Sequence, residues 1–105
     1  MIFSDLMKAI SKYCKPEQAV ILFFEDGLII KSEINTGIFE STNSLEPENP
    51  NFEEYYDCGF EVTEILNLPQ KSKYDRLKIG SFFMISEYGE PSKIKGADET
   101  IIWQK

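Results

Sequence analysis

Residues 19–34 read AVILFFEDGLIIKSEI. Two runs rich in β-branched and aromatic residues, Ala19 to Phe24 and Leu28 to Ile34, flank an Asp26-Gly27 step, and that arrangement predicts a β-hairpin. The apolar residues run consecutively instead of alternating, so Val20–Phe24 and Leu28–Ile30 put hydrophobic side chains on both faces of the sheet. One face can fill a core, and the other needs a helix or a partner to cover it.

Working outward, SDLMKAISKYC (4–14) sets Leu6, Met7, Ile10, Tyr13 and Cys14 on one helical stripe, with Lys8 and Lys12 pointing away. Ser4 is placed to cap this helix, and Pro16 ends it near Cys14 or Lys15 because the residue before a proline is pushed out of helical geometry. Beyond the hairpin, Asn35-Thr36-Gly37 reads as a turn and Ile38-Phe39 as a short strand leading into STNSLEPENPNFEE. That segment is an exposed acidic loop stiffened by Pro47 and Pro50. YYDCGFEVTEIL (55–66) alternates, with Tyr56, Cys58, Phe60, Val62 and Leu66 on one side and Asp57, Gly59, Glu61 and Thr63 on the other. It predicts a long half-buried strand that bulges or bends at Gly59. Residues 67–76 form a loop and LKIGSFFMIS (77–86) a further strand, and KIK and TIIW around Gly96-Ala97-Asp98-Glu99 close the chain as a second hairpin.

These elements predict an α+β, mostly β fold: an N-terminal amphipathic helix, then a strongly bent antiparallel sheet or small barrel of five to six strands. One domain over 1–105 is expected, with the helix at 4–14, the β-rich part at 19–104 and the exposed acidic loop at about 41–54. The 105 residues are 42% hydrophobic and include eight Phe, five Tyr and one Trp, enough for a core. The segment AVILFFEDGLIIKSEI, with its hydrophobic strand meeting Asp26-Gly27, resembles the opening strands of Sm-like and SH3-like small β-barrels. The resemblance spans the first third of the chain and implies a curved sheet behind a short helix. Ser32 stands where the Sm pattern has glycine, and the base-holding Asp-x-x-Met-Asn loop is missing. The usage of Lys, Ile, Glu and Asn resembles that of small proteins from AT-rich Firmicutes genomes and their phages.

The net charge of −7 is unevenly spread. From Ser32 to Gln70 there are nine acids (Glu33, Glu40, Glu46, Glu48, Glu53, Glu54, Asp57, Glu61, Glu64) and no Lys or Arg, against nine acids and eleven bases elsewhere. Such a segment repels nucleic acid and attracts a basic protein surface. With no histidine, His-dependent hydrolytic centres and His-ligated zinc are excluded. The six glycines form no phosphate-binding loop, and the acidic run lacks the spacing of a calcium loop. No cofactor, metal or catalytic residue is expected, and the chain is not read as an enzyme. Cys14 and Cys58 fall on the apolar phase of their elements and read as core thiols of a reducing, cytoplasmic setting, in a chain with neither an export signal nor a membrane span.

The function expected is that of a non-catalytic binding module. Glu46, Glu48, Phe52, Glu53, Glu54, Tyr55 and Asp57 are the candidate contact residues, aromatics interleaved with charge. The partner class is a basic protein surface such as that of a nuclease or defence effector, in the manner of small acidic immunity and anti-CRISPR proteins. Two alternatives stand beside it: a structural β-barrel that oligomerises through the 20–34 hairpin, and an Sm-like module touching nucleic acid through Lys71, Lys73, Arg76 and Lys78.

Overall fold

A computed structural model describes residues 4–71, 77–86 and 91–105. Helix α1 (Asp5–Tyr13) starts where the sequence sets its cap: the Ser4 hydroxyl accepts from the Met7 N–H at 3.3 Å. Cys14 closes it, donating its N–H to the Ile10 carbonyl. Leu6, Met7, Ile10 and Cys14 are buried as expected. Tyr13 is not: it stands at the helix end, half exposed, with the Lys12 ammonium 5.2 Å from its ring centre.

Seven strands follow: β1 (Ala19–Phe23), β2 (Ile29–Ile34), β3 (Phe39–Thr42), β4 (Glu54–Asn67), β5 (Phe82–Ser86), β6 (Lys93–Gly96) and β7 (Ile101–Gln104). The β1–β2 hairpin pairs Ala19 with Glu33 through to Phe23 with Ile29. At its turn the Leu28 N–H bonds Asp26 Oδ1 at 3.0 Å, and Gly27 takes the φ of 96° that a side chain would resist.

All pairings are antiparallel, in the order β3-β4-β2-β1-β6-β7, with β5 also on β4. Glu61 pairs with both Glu33 of β2 and Phe82 of β5, so those strands flank β4 on opposite sides. Asp57 pairs with both Phe39 of β3 and Ser86 of β5, which puts β3 on the β2 side. β2 and β3 are therefore consecutive pieces of one edge along β4, broken at 35–38.

The break is held by Gly59. Its carbonyl accepts from the N–H groups of Asn35 and Thr36, and its own N–H bonds Thr36 Oγ1 at 2.9 Å. A Cβ at this position would lie 2.8 Å from that hydroxyl.

The core lies between α1 and one sheet face, where Val20, Leu22, Ile30, Cys58, Phe60, Val62, Ile85 and Ile94 meet Leu6, Met7 and Ile10. Phe60 stacks on Phe83 with ring centres 6.2 Å apart.

Four expectations need correcting. Among the described residues the sheet is open, not a closed barrel, since β5 and β7 terminate it on opposite sides without pairing to each other, and it has seven strands instead of five or six. The strand expected from Leu77 begins only at Phe82: Leu77 lies outside any strand, and Lys78–Ser81 form a turn in which the Ser81 N–H bonds the Lys78 carbonyl and Gly80 takes φ 89°. Leu66 is nearly half exposed instead of buried. Its reversal follows from a bulge: Ser32 pairs Val62 but Lys31 pairs Glu64, and the extra residue hands the inward place to Ile65. Tyr13, as noted, leaves the stripe it was assigned to.

Candidate functional site

The acids concentrate on the hairpin that joins β3 to β4. Its base is paired from Phe39–Asp57 to Thr42–Glu54, and the Asn43 N–H continues the ladder to the Glu53 carbonyl at 3.2 Å. From there the loop is pinned by its own asparagines. Asn43 Nδ2 donates to the Asn51 carbonyl at 2.8 Å, while Asn43 Oδ1 accepts from the N–H groups of Leu45 and Glu53. Asn49 Oδ1 accepts from the Asn51 N–H at 2.8 Å. Two turns, Glu46 to Asn49 and Asn49 to Phe52, are closed by backbone bonds of 2.9 Å each. The loop read as acidic and proline-stiffened is thus also tied at its neck by asparagine side chains, which supply bonds that a strand partner would otherwise make.

On this frame Glu46, Glu48, Glu53 and Glu54 are exposed, Phe52 is half-buried, and Tyr55 donates its hydroxyl to the Thr42 carbonyl at 3.3 Å. The hairpin brings five of the seven expected contact residues together at its tip and first pair. Tyr55 and Asp57 stand on its outer face, opposite Ser41 and Phe39. Tyr56 faces the other way and packs against the core. Of the four bases weighed for nucleic acid, Lys71 and Lys78 are exposed, and Lys73 and Arg76 lie outside the described residues.

The second sheet face, which the consecutive apolar run of the first hairpin implies, is also on view. α1 covers one sheet face; on the other, Phe82 and Met84 of β5 are 63% and 50% exposed, and further across the same face lie Lys31, Ile21, Phe23, Lys93 and Lys95. The Lys93 and Lys95 ammonium groups sit 4.6 and 5.5 Å from the Phe23 ring centre. The consecutive apolar run at 19–24 was the signal, since it announced that both faces of β1 carry hydrophobic side chains.

The arrangement offers little to chemistry. Two open clefts of about 440 Å³ flank the end of α1; among the described residues the one under Cys14 and Ile34 has no carboxylate in its lining, and the one under Tyr13 and Ile102 has Asp98 alone. Asp98 is a turn residue whose carboxyl is held below its ordinary pKa by the Thr100 backbone N–H, 3.1 Å away. Among the described residues no group of three or more Cys, Asp or Glu is placed to hold a metal ion. Both cysteines are free and buried. Burial pushes the Cys14 thiol up to about 11 and the Cys58 thiol to about 12, so neither is a nucleophile at neutral pH. Among the described residues no helix is long and apolar enough to cross a membrane.

The chain matches, over residues 1–105, the family described as cognate immunity protein YxxD, and it belongs to that family. No curated protein and no solved structure is significantly similar to it, so the Sm-like and SH3-like resemblance gains no structural counterpart. A cognate immunity protein binds a partner toxin, and membership accords with a non-catalytic binding role.

Proposed function

We propose that this chain neutralises its cognate toxin by docking the acidic β3–β4 hairpin on a basic surface of that toxin, of the kind a nuclease presents to its substrate. The observation that carries the reading is the combination of immunity-family membership with four exposed glutamates, Glu46, Glu48, Glu53 and Glu54, on a hairpin whose neck is fixed by Asn43. A fixed hairpin presents its charges without first having to be ordered, which lowers the entropic cost of binding. Phe52 and Tyr55 supply apolar area inside the charged rim, and Asp57 extends the acidic surface onto the sheet.

The test is kinetic. Changing Glu46, Glu48, Glu53 and Glu54 together to Gln removes four charges without changing side-chain shape. Association with the cognate toxin at low ionic strength should slow by about tenfold or more, and its salt dependence should flatten, while dissociation changes less. Equal association rates for the two forms at low salt would refute hairpin docking and leave the family assignment untouched.

A further inference from the structure

We propose that an extended segment of the cognate toxin adds to the sheet as a further strand along the open side of β3, placing an apolar side chain in the cleft beside α1 and a lysine or arginine against Glu40. This deepens the hairpin-docking reading and rests on it for where the toxin lies, because β3 is one of the hairpin's two strands. Among the described residues β4 alone pairs with β3, from Phe39 with Asp57 to Thr42 with Glu54. The Asn43 N–H bonds the Glu53 carbonyl, so the alternation of an antiparallel ladder turns the N–H and C=O of Ser41 and Phe39 toward β4. Those of Glu40 and Thr42 point outward. Among the described residues only one of them is bonded, the Thr42 carbonyl, which accepts from the Tyr55 hydroxyl.

The same edge has room for a strand. On the far side of the 35–38 break β1 fills the place beside β2, but its pairing stops at Ala19 with Glu33. Residues 15–18, coming off α1, form a turn in which the Gln18 N–H bonds the Lys15 carbonyl. The gap left there is the cleft of about 440 Å³, whose apolar wall is Ile10, Cys14, Pro16, Ile34 and Ile38. Nothing in Phe39–Thr42 blunts the edge in the ways proteins commonly use: it has no lysine and no proline, and its register with β4 is unbroken.

Register sets the chemistry of the occupant. Glu40 pairs with Tyr56, which packs against the core, so Glu40 and Ile38 lie on the face that α1 covers. A residue of the added strand opposite Glu40 lies on that face too, and so does the next but one, beside Ile38. The latter enters the apolar cleft, where Lys15 disfavours a cation. The former meets the Glu40 carboxylate, which is exposed and has no ion pair among the described residues. The segment that fits is therefore extended, carries an apolar residue and a lysine or arginine at alternate positions, and is held by backbone bonds to Glu40 and Thr42.

Amide hydrogen exchange on the full chain, free and bound to the cognate toxin, tests this, with circular dichroism to establish that each variant is folded. In the free chain the Glu40 and Thr42 amides should exchange faster than that of Ser41, and in the complex they should slow by about tenfold or more. Thr42→Pro removes the outward N–H and leaves the ladder to β4 whole, so toxin dissociation should speed up by about tenfold or more. Thr42→Val loses the same hydroxyl, which accepts from the Ser44 N–H, but keeps the amide, and should stay within about threefold of native. Glu40 and Thr42 amides that exchange as fast in the complex as in the free chain overturn the proposal, whether or not Thr42→Pro folds. A folded Thr42→Pro that releases the toxin no faster than Thr42→Val overturns it as well. Slowed exchange at these two amides, with an unchanged association rate for the four-glutamate variant, would sink the charge-docking reading and keep the added strand. The reverse pair of results would sink the strand and keep the docking.

Discussion

Ser32 sits in the middle of β2 between Val20 of β1 and Val62 of β4, fully buried, and among the described residues its hydroxyl has no hydrogen-bond partner. Ser32→Ala should therefore stabilise the protein. Leaving a hydroxyl buried and unbonded costs about 1–3 kcal/mol, because its bonds to water are lost and nothing replaces them. Against this, removing one oxygen forfeits a few dispersion contacts of about 0.1–0.2 kcal/mol each. Alanine's weaker strand preference takes back a few tenths of a kcal/mol more. The net gain is about 1 kcal/mol. With a urea dependence of about 1–1.5 kcal/mol per molar for a chain of this size, the midpoint should rise by about 0.7–1 M. The thermal midpoint should rise by about 4–6 °C. Ser32→Val separates this cause from simple hydrophobicity, since it also deletes the hydroxyl but forces extra carbon between Val20 and Val62, and it should fall below Ser32→Ala. A Ser32→Ala midpoint equal to or below the native one would refute the reasoning.

Gly59→Ala should destabilise by about 1–3 kcal/mol in urea unfolding, because its methyl would stand 2.8 Å from Thr36 Oγ1. Combined with Thr36→Ala it should cost less than the two changes summed. Asn43→Ala should leave the unfolding free energy from urea titration within about 1 kcal/mol of native yet speed amide exchange across 44–53, since three hydrogen bonds of the loop neck end on that side chain. Both thiols should resist a soluble disulfide reagent until the chain is unfolded, being buried and protonated. Their folded pKa values of about 11 and about 12 lie above the ordinary 9.0, so the folded chain holds protons that the unfolded one has released. That contribution is fully present below pH 9, and stability falls as pH rises toward 12. A Cys14→Ala, Cys58→Ala chain should show a shallower fall over this window in urea midpoints.

Local signals carried most of the fold. The Asp26-Gly27 turn, the Ser4 cap and the closing hairpin around Gly96–Glu99 are each specified by neighbours in sequence, and each formed where expected. What failed depended on residues far apart. Leu66 was placed inward by strict alternation, which a bulge opposite Lys31 and Ser32 interrupts; nothing in residues 55–66 alone shows that a partner strand will force it. Closure into a barrel is likewise a property of strand count and stagger, not of any one segment. The hairpin acids were legible because charge is read directly from composition. The second apolar face of the first hairpin was legible in its consecutive run, but the opposition of Glu33 to Glu61 on it was not, because that exists only once β2 and β4 are in register.

The length of β4 ties these features together. Its middle residues Cys58, Phe60 and Val62 are fully buried and fix the strand to the core. Its first residues, Glu54–Asp57, pair with β3 and carry the acidic hairpin, while Glu61 of the same strand lies on the face that α1 leaves uncovered. Fourteen residues of one strand therefore transmit the rigidity of the core to both surfaces. A strand that frayed at its start would leave the hairpin acids on a flexible tether, and docking would then bear the entropy of ordering them. On this argument a core substitution such as Val62→Ala should slow toxin binding only so far as it raises the population of frayed β4. A change such as Glu54→Gln should slow it with no effect on the urea midpoint, and that contrast separates the part of the affinity that is charge from the part that is order.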